Sequence, residues 1–138
     1  PLRLVGSEMC IRDSSKRNSY VTAASTPKEA KYGYVFKHCK LTAEPGVDKV
    51  YLGRPWRPYA YTLFIECELG KHIVLAGWHN WGKQSNEETA RYMEYKNTGE
   101  GANASERVAW SKQLTKKEAE TVTVDAIFRT QSDWNPID

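Results

Sequence analysis

Phe36-Lys37-His38-Cys39-Lys40-Leu41 returns 28 residues later as Phe64-Ile65-Glu66-Cys67-Glu68-Leu69. The shared pattern is Phe-x-x-Cys-x-Leu. In a straight strand Cys and Leu would face one side and Phe the other, because side chains alternate. All three can face inward only if the chain bends between Phe and Cys. Each coil of a parallel β-helix bends in this way, so the repeat predicts a parallel β-helix.

Stacked coils place like residues on like residues. The repeat therefore predicts that Phe36 packs on Phe64 and that Cys39 packs on Cys67. The alternative is a pair of similar strands in an antiparallel sandwich. The sequence contains no Asn-Gly or Asp-Gly pair, the common hairpin turn of such a sandwich, and this favours the β-helix.

The rest of the chain shows an all-β rhythm of short apolar segments separated by Pro, Gly and polar turns. Predicted strands cover residues 19–24, 33–41, 50–52, 60–69 and 73–76, and a further strand is expected within residues 89–95.

A short helix is predicted near the C-terminus. Leu114-Thr115-Lys116-Lys117-Glu118 has the Ser/Thr-x-x-Glu form of a capping box, so Thr115 should cap a helix that begins at Lys116. A second helical turn is predicted over residues 124–128. These elements would cover the last coil, which otherwise exposes an apolar face and an unpaired edge.

The first fourteen residues have no clear periodicity and lack the apolar stretch of a signal peptide. We therefore treat residues 1–14 as an unmatched segment, foreign or badly joined to the rest of the chain. Residues 15–138 form the predicted β-helix domain.

Composition excludes several classes of protein. The 138 residues are 40% hydrophobic, which suits a modest core, and 20 basic residues against 17 acidic ones give a net charge of +3. This charge is too weak and too evenly mixed to indicate nucleic-acid binding. The longest uninterrupted apolar run, residues 73–78, is far shorter than a membrane span.

Cysteine and histidine give no sign of a metal site or a nucleophile pair. The odd number of cysteines argues against a disulfide framework, and no spacing matches a zinc site, so we expect buried thiols and neither metal nor cofactor. The residues concerned are Cys10, Cys39, Cys67, His38, His72 and His79.

The most informative short motif is Tyr51-Leu52-Gly53-Arg54-Pro55-Trp56. Arg54 can present two donors to a carboxylate, and Trp56 offers a flat apolar face to a sugar ring. Pro55 favours an extended Arg54, so the turn would hold both side chains at a fixed angle. The motif indicates a site for an acidic carbohydrate, and the alternative is a packed corner with a surface arginine.

Several further segments accompany this motif, and together they resemble the C-terminal part of pectin methylesterases, in particular the bacterial branch, over residues 15–136. The additional segments are Tyr20-Val21-Thr22-Ala23-Ala24-Ser25-Thr26, Tyr32-Gly33-Tyr34-Val35-Phe36, Gly77-Trp78-His79-Asn80-Trp81, Tyr92-Met93-Glu94-Tyr95, and Arg107-Val108-Ala109-Trp110 followed by Leu114-Thr115.

The resemblance implies a right-handed parallel β-helix with a cleft that binds homogalacturonan and hydrolyses its methyl esters. In that family one aspartate attacks the ester carbonyl, a second acts as general acid and then base, and glutamines stabilise the oxyanion. It also implies that Arg54 hydrogen-bonds the nucleophilic aspartate and that Trp56 stacks on the sugar. By weaker matches, Tyr20 and Trp81 would line the same cleft, while Trp78 is expected in the core.

The family's aspartates have no counterpart here. Their Gln-Asp-Thr and Asp-Phe-Ile/Val segments would precede Ser15, where this chain has Val5-Gly6-Ser7-Glu8-Met9-Cys10-Ile11-Arg12-Asp13. The other aspartates lack a matching context. We therefore expect that the chain alone does not hydrolyse esters. The aspartates concerned are Asp13, Asp48, Asp125, Asp133 and Asp138.

The implied partner is pectin, with no nucleic acid or membrane, and the complete protein would be a secreted or periplasmic monomer. Two alternatives remain at this point. One is a galacturonan-binding module without catalysis. The other is a β-helix enzyme such as a pectate lyase, which normally uses calcium held by clustered acidic residues; the sequence shows no such cluster.

Overall fold

A computed structural model describes residues 3–11 and 19–123. The strands are β1 (Arg3–Val5), β2 (Glu8–Ile11), β3 (Ser19–Ala24), β4 (Tyr34–Lys37), β5 (Lys40–Ala43), β6 (Val50–Pro55), β7 (Tyr61–Ile65), β8 (Glu68–Leu69), β9 (Arg91–Tyr95) and β10 (Lys112–Gln113). The helices are α1 (Asn86–Thr89) and α2 (Lys116–Thr123), with 3₁₀ turns at Glu100–Ala102 and Ala104–Glu106.

The strands form three sheets, and every pair of neighbouring strands is parallel. Their orders are β1-β4-β7-β9-β10, β2-β5-β8 and β3-β6. From β1 to β9, strands that follow one another along the chain belong to different sheets, and the chain returns to the first sheet one coil later. This is the predicted parallel β-helix, and it rules out the antiparallel sandwich.

The predicted stacking of the repeat is confirmed. The rings of Phe36 and Phe64 lie 4.6 Å apart at an interplanar angle of 9°. Cys39 and Cys67 are both buried on successive coils, and they interact. Burial raises the pKa of the Cys67 thiol to about 12, so it is an unreactive core group.

The bend that turns Phe, Cys and Leu inward has a specific backbone origin. His38, Glu66 and Lys96 follow β4, β7 and β9, and their φ angles are 55°, 49° and 48°. Gly6 occupies the same place after β1, with φ 68°. One left-handed residue per coil therefore makes the corner between two sheets. The sequence did not reveal this row because three of its four members are not glycine.

Residues 3–11 lie in the first described coil. β1 pairs with β4, and β2 pairs with β5, with Met9 opposite Leu41. The segment thus continues two sheets instead of forming a separate unit. These pairings do not test the boundary placed at residue 15 or whether the segment is native, and both stay predictions.

The strand predicted over residues 73–76 is wrong. Only isolated bridges occur in this region, at Ile73 and Trp78, and between them the chain leaves the sheet, with Leu75 54% exposed. Residues 74–77 make a turn, in which the Gly77 N–H donates to the Val74 carbonyl at 3.1 Å and Gly77 has φ 80°. Arg107 Nη1 also donates hydrogen bonds to the carbonyl oxygens of Val74 and Leu75 at 3.2 and 3.1 Å.

The predicted capping box is confirmed. The Glu118 N–H donates to Thr115 Oγ1 at 3.2 Å, and the Thr115 N–H donates to Glu118 Oε1 at 3.0 Å. α2 covers the outer face of the first sheet, where Leu114 and Ala119 are buried with Leu63. The helical turn predicted over residues 124–128 lies outside the described residues. Within those residues, no helix is long and apolar enough to cross a bilayer.

Candidate functional site

The site lies on the outer face of the β3-β6 sheet. The parallel register places Tyr20 beside Tyr51 and Ala23 beside Arg54. Leu52 and Pro55 are buried and hold β6 against the body of the molecule. Tyr20, Tyr51 and Arg54 remain partly exposed on these two strands.

Arg54 lies at the centre of the site, surrounded by aromatic rings. Its Cζ atom is 3.8 Å from the ring centroid of Trp81, 5.1 Å from that of Tyr20 and 5.5 Å from that of Trp56. The four residues predicted from the sequence therefore lie together, although Trp81 comes from a different coil than Arg54. Their roles in binding or catalysis are not tested by this geometry and stay predictions.

The guanidinium has unused hydrogen-bonding capacity. Nε and Nη1 of Arg54 are buried, yet neither has a hydrogen-bond partner among the described residues. Buried donors without acceptors are costly, and native proteins usually satisfy them. Contact with aromatic faces partly stabilises the cation but supplies no oxygen acceptor. Arg54 is therefore prepared for an acceptor that approaches from outside this part of the chain.

The two tryptophans around Arg54 offer apolar surface to a ligand. Trp56 is 61% exposed and Trp81 is 47% exposed, which is unusual for such large side chains. The Trp56 N–H donates to the Ala24 carbonyl at 2.8 Å, so β3 anchors the residue while its ring remains accessible.

Two members of the site were missed by the sequence analysis. Tyr51 stacks on Tyr20, with centroids 5.6 Å apart and an angle of 21°. His79 packs edge-on against Tyr51 at 5.0 Å and against Tyr20 at 5.8 Å. The β3-β6 register, had it been deduced, would have revealed Tyr51. His79 lies in the segment Gly77-Trp78-His79-Asn80-Trp81, but nothing in the sequence indicated a role for it in the site. We call Tyr20, Tyr51, Arg54, Trp56, His79 and Trp81 the aromatic-arginine cluster.

Trp78 supports this cluster from inside and is core, as expected. It is 1% exposed, and it lies so close to Gly53 that a Cβ atom there would crowd its ring and would overlap Thr22 Oγ1. Trp78 Nε1 donates to Glu94 Oε2 at 3.3 Å. Glu94 in turn pairs with Arg107 at 2.8 Å, and both side chains are 3% exposed. Trp78, Glu94 and Arg107 therefore form a hydrogen-bonded network behind Gly53, the residue before Arg54.

Tyr92 adds a second unsatisfied polar group in this interior. Its ring stacks on Trp78 at 4.3 Å, and its hydroxyl is buried without a hydrogen-bond partner in the described ranges. Burial raises the pKa of Tyr92, and the positive charge of Arg54 acts in the opposite direction. The hydroxyl thus stays protonated and within the electrostatic reach of Arg54.

No acid partner for Arg54 occurs within residues 3–11 and 19–123. The only aspartate in these ranges, Asp48, is exposed in the turn before β6. The same residues also contain no group of three or more His, Cys, Asp and Glu side chains able to hold a metal ion. In the described residues the site therefore consists of the Arg54 cation, the aromatic rings around it and the core that supports them.

Comparison with known sequences identifies relatives of this chain. A sequence model of the pectinesterase family matches residues 5–131. Putative pectinesterase 11 of Arabidopsis thaliana is 38% identical over 129 residues, covering 92% of this chain and 36% of the relative. A probable pectinesterase/pectinesterase inhibitor of Brassica napus is 36% identical over 135 residues, covering 91% of this chain and 23% of the relative.

Solved structures are similar as well. The pectin methylesterase from carrot superposes with a TM-score of 0.76 at 29% identity, covering 85% of this chain and 40% of that one. The enzyme from Yersinia enterocolitica gives 0.72 at 28% identity, covering 88% and 45%. A pectin methylesterase in complex with a hexasaccharide gives 0.70 at 27% identity, covering 86% and 42%.

These relatives bear on two points. The chain spans less than half the length of the proteins that it matches, 23% to 45% in these cases. The curated relatives are plant proteins, so they do not support the bacterial branch that the sequence motifs suggested.

Proposed function

The chain belongs to the pectinesterase family, and on that premise we propose that it forms the substrate-holding part of a pectin methylesterase active site. The observation that carries this proposal is Arg54, whose buried Nε and Nη1 lack partners in the described residues while accessible tryptophan rings flank it. A guanidinium with free donors suits a carboxylate, and flat aromatic faces suit sugar rings.

In the proposed reaction a carboxylate attacks the methyl ester carbonyl, and a second carboxyl group protonates the leaving oxygen so that methanol departs. The same group, now ionised, takes a proton from the water that hydrolyses the covalent intermediate and frees the acid. Arg54 would hold the attacking carboxylate by a forked hydrogen bond. The guanidinium charge lowers the pKa of a paired carboxyl and the fork fixes its direction, so the nucleophile is ionised and aimed. The attacking group is proposed to come from the Gln-Asp-Thr and Asp-Phe segments, which this sequence does not contain.

Trp56 and Trp81 are proposed to stack on sugar rings of the polymer, with Tyr20 lining the cleft beside them. Both tryptophan rings are partly exposed, and both lie close to the same guanidinium. The similar pectin methylesterase bound to a hexasaccharide supports a polysaccharide ligand for this fold. Since pectin is a cell-wall polymer, the complete protein is proposed to act outside the cell as a monomer, without nucleic acid or membrane partners.

A binding module without catalysis is the second candidate. It is favoured by one observation, namely that no carboxylate pairs with Arg54 in the described part of the chain. Family membership argues against the third candidate, a pectate lyase.

Methanol release from methylated pectin separates the first two candidates. The 138-residue chain should release none, whereas a polypeptide in which the Gln-Asp-Thr and Asp-Phe segments precede Ser15 should be active. In that polypeptide Arg54→Ala should lower the rate by about a hundredfold, because the nucleophile loses its orientation. Leu75→Ala, an exposed apolar change outside the aromatic-arginine cluster, is the matched control. An inactive extended polypeptide, or full activity of its Arg54→Ala variant, contradicts the proposal.

Binding by the 138-residue chain tests the sugar contacts. We expect Trp56→Ala to weaken binding to oligogalacturonate about tenfold, a loss typical of one aromatic stacking contact. Isothermal titration calorimetry with Leu75→Ala as the control measures this change. Equal affinities for Trp56→Ala and the unchanged chain would exclude Trp56 as a sugar platform.

A further inference from the structure

We propose that His79 is a positioning residue, which holds Trp81 in the conformation that places its indole over Arg54. The inference rests on the proposed function for the identity of the ligand, but its geometric part stands on the contacts alone. Trp81 has φ 59°, in the left-handed region that a bulky residue rarely adopts. Such a conformation persists only where surrounding contacts impose it.

The contact that imposes this conformation is a hydrogen bond from the Trp81 backbone N–H to His79 Nδ1 at 2.9 Å. The acceptor lies two residues before the donor, the geometry of a side-chain-stabilised turn. The next pair of residues makes the same kind of hydrogen bond, from the Gly82 N–H to Asn80 Oδ1 at 2.8 Å. Since Nδ1 accepts, the neutral imidazole carries its proton on Nε2.

The turn is attached to the site at its start and to α1 beyond it. The His79 N–H donates to the Gly53 carbonyl at 3.1 Å, directly before Arg54 on β6. Asn80 Nδ2 donates to Glu87 Oε2 at 2.8 Å, and Glu87 belongs to α1. His79 is therefore fixed relative to Arg54, and its Nδ1 transfers that fixed position to Trp81.

The imidazole ring of His79 also makes aromatic contacts, and their effect has to be distinguished from that of the Nδ1 hydrogen bond. It packs edge-on against Tyr20, Tyr51 and Trp81. Two substitutions separate the contribution of the ring from that of the hydrogen-bond acceptor. His79→Asn loses the ring but keeps an acceptor two residues before Trp81, as Asn80 does for Gly82. His79→Phe keeps a ring of similar size but removes the acceptor.

The test measures binding of a pentamer of α-1,4-linked galacturonic acid by calorimetry to the 138-residue chain. We expect His79→Phe to lower affinity about tenfold, a loss typical of one broken hydrogen bond. His79→Asn should recover affinity to within about threefold of the unchanged chain, because the acceptor is restored. In a Trp81→Ala background, His79→Phe should cause no further loss, since the histidine acts through Trp81.

Fluorine NMR of the ligand-free chain labelled with 5-fluorotryptophan supplies an independent readout. The Trp81 signal, assigned by its loss in Trp81→Phe, should shift in His79→Phe and stay in place in His79→Asn. The proposal is overturned if His79→Phe and His79→Asn lose affinity equally or if His79→Phe binds as tightly as the unchanged chain. It is also overturned if His79→Phe causes a further loss of affinity in the Trp81→Ala background. If the unchanged chain does not bind the pentamer, the proposed function fails, and the fluorine signals alone decide the role of His79.

Discussion

Arg54 and Arg107 both have buried guanidinium nitrogen atoms, but these atoms have opposite surroundings. Arg107 donates from Nε and Nη2 to the two carboxylate oxygens of Glu94 at 2.8 and 3.1 Å, and Nη2 also donates to the Gly101 carbonyl at 2.6 Å. Arg54 faces aromatic rings, and its buried Nε and Nη1 find no acceptor in the described ranges. One arginine is used for structure, whereas the other is left available for a ligand.

This contrast predicts different responses to the same substitution. Arg107→Met should lower the free energy of unfolding by about 3–5 kcal/mol, because it leaves Glu94 buried and unpaired. Arg54→Met should change it by less than about 1 kcal/mol, because the lost ring contacts are offset by removal of unsatisfied donors. Urea denaturation of the two variants checks the difference. Equal destabilisation would mean that Arg54 is also a structural residue.

At the scale of elements, α2 depends on its capping box. Lys112 Nζ forms a salt bridge with Glu118, and the Thr115 N–H donates to the same carboxylate. The hydrogen bond from Lys112, followed by that from the Thr115 backbone, lowers the pKa of Glu118 from 4.5 to about 2. The ionised carboxylate therefore favours the folded helix start.

The sign of this pKa shift predicts acid weakening of α2. A lowered pKa in the folded state gives stabilisation that is complete above about 4.5 and is lost as pH falls through about 2. Hydrogen exchange of the Ala119 amide, which bonds to the Thr115 carbonyl at 2.9 Å, should report loss of protection across that window.

Glu118→Gln keeps an acceptor at the cap but removes the titration, so its protection should vary less with pH over the same range. Glu120→Gln, an exposed change on the same helix, is the control and should follow the unchanged chain. A Glu118→Gln profile that matches the unchanged chain contradicts this account of α2.

At the scale of the whole molecule, β1, β2 and β3 each have a strand partner on one side only among the described residues. Unpaired parallel edges are templates for pairing with other chains, and a β-helix coil is stabilised mainly by its neighbours. We expect the 138-residue chain to associate as its concentration rises and to unfold at a lower temperature than the same chain extended by the upstream segments.

Sedimentation velocity across a dilution series and thermal denaturation of both forms measure this expectation. The extended form serves as the control, because its added coil would cover the three edges. A chain that stays monomeric at every concentration and melts at the same temperature as the extended form would show that the unpaired edges neither promote association nor lower stability.

Much of the fold was predictable because it depends on a regular repeat and on residues that lie close together in the sequence. Phe36 and Cys39 stack on their counterparts since the repeat is in register, and α2 begins where Thr115 permits two reciprocal hydrogen bonds. Arg54 and Trp56 lie on one strand and its following turn, so their proximity also followed from local order.

Residues without a local signal were not predictable. His38 adopts a left-handed corner that is uncommon for any residue other than glycine, and the turn around Leu75 receives a hydrogen bond from the distant Arg107. His79 joins the cluster only because its N–H bonds to the Gly53 carbonyl on a neighbouring coil.

The sequence by itself determined the coil repeat, the helix cap and the pairing of a cation with an indole, because each depends on residues a few positions apart. Only the tertiary structure decided that Trp81 lies over Arg54, and that Nε and Nη1 of Arg54 stay without acceptors in the described residues. The physical reason is that both properties depend on how successive coils are placed on one another, which no local pattern of residues encodes.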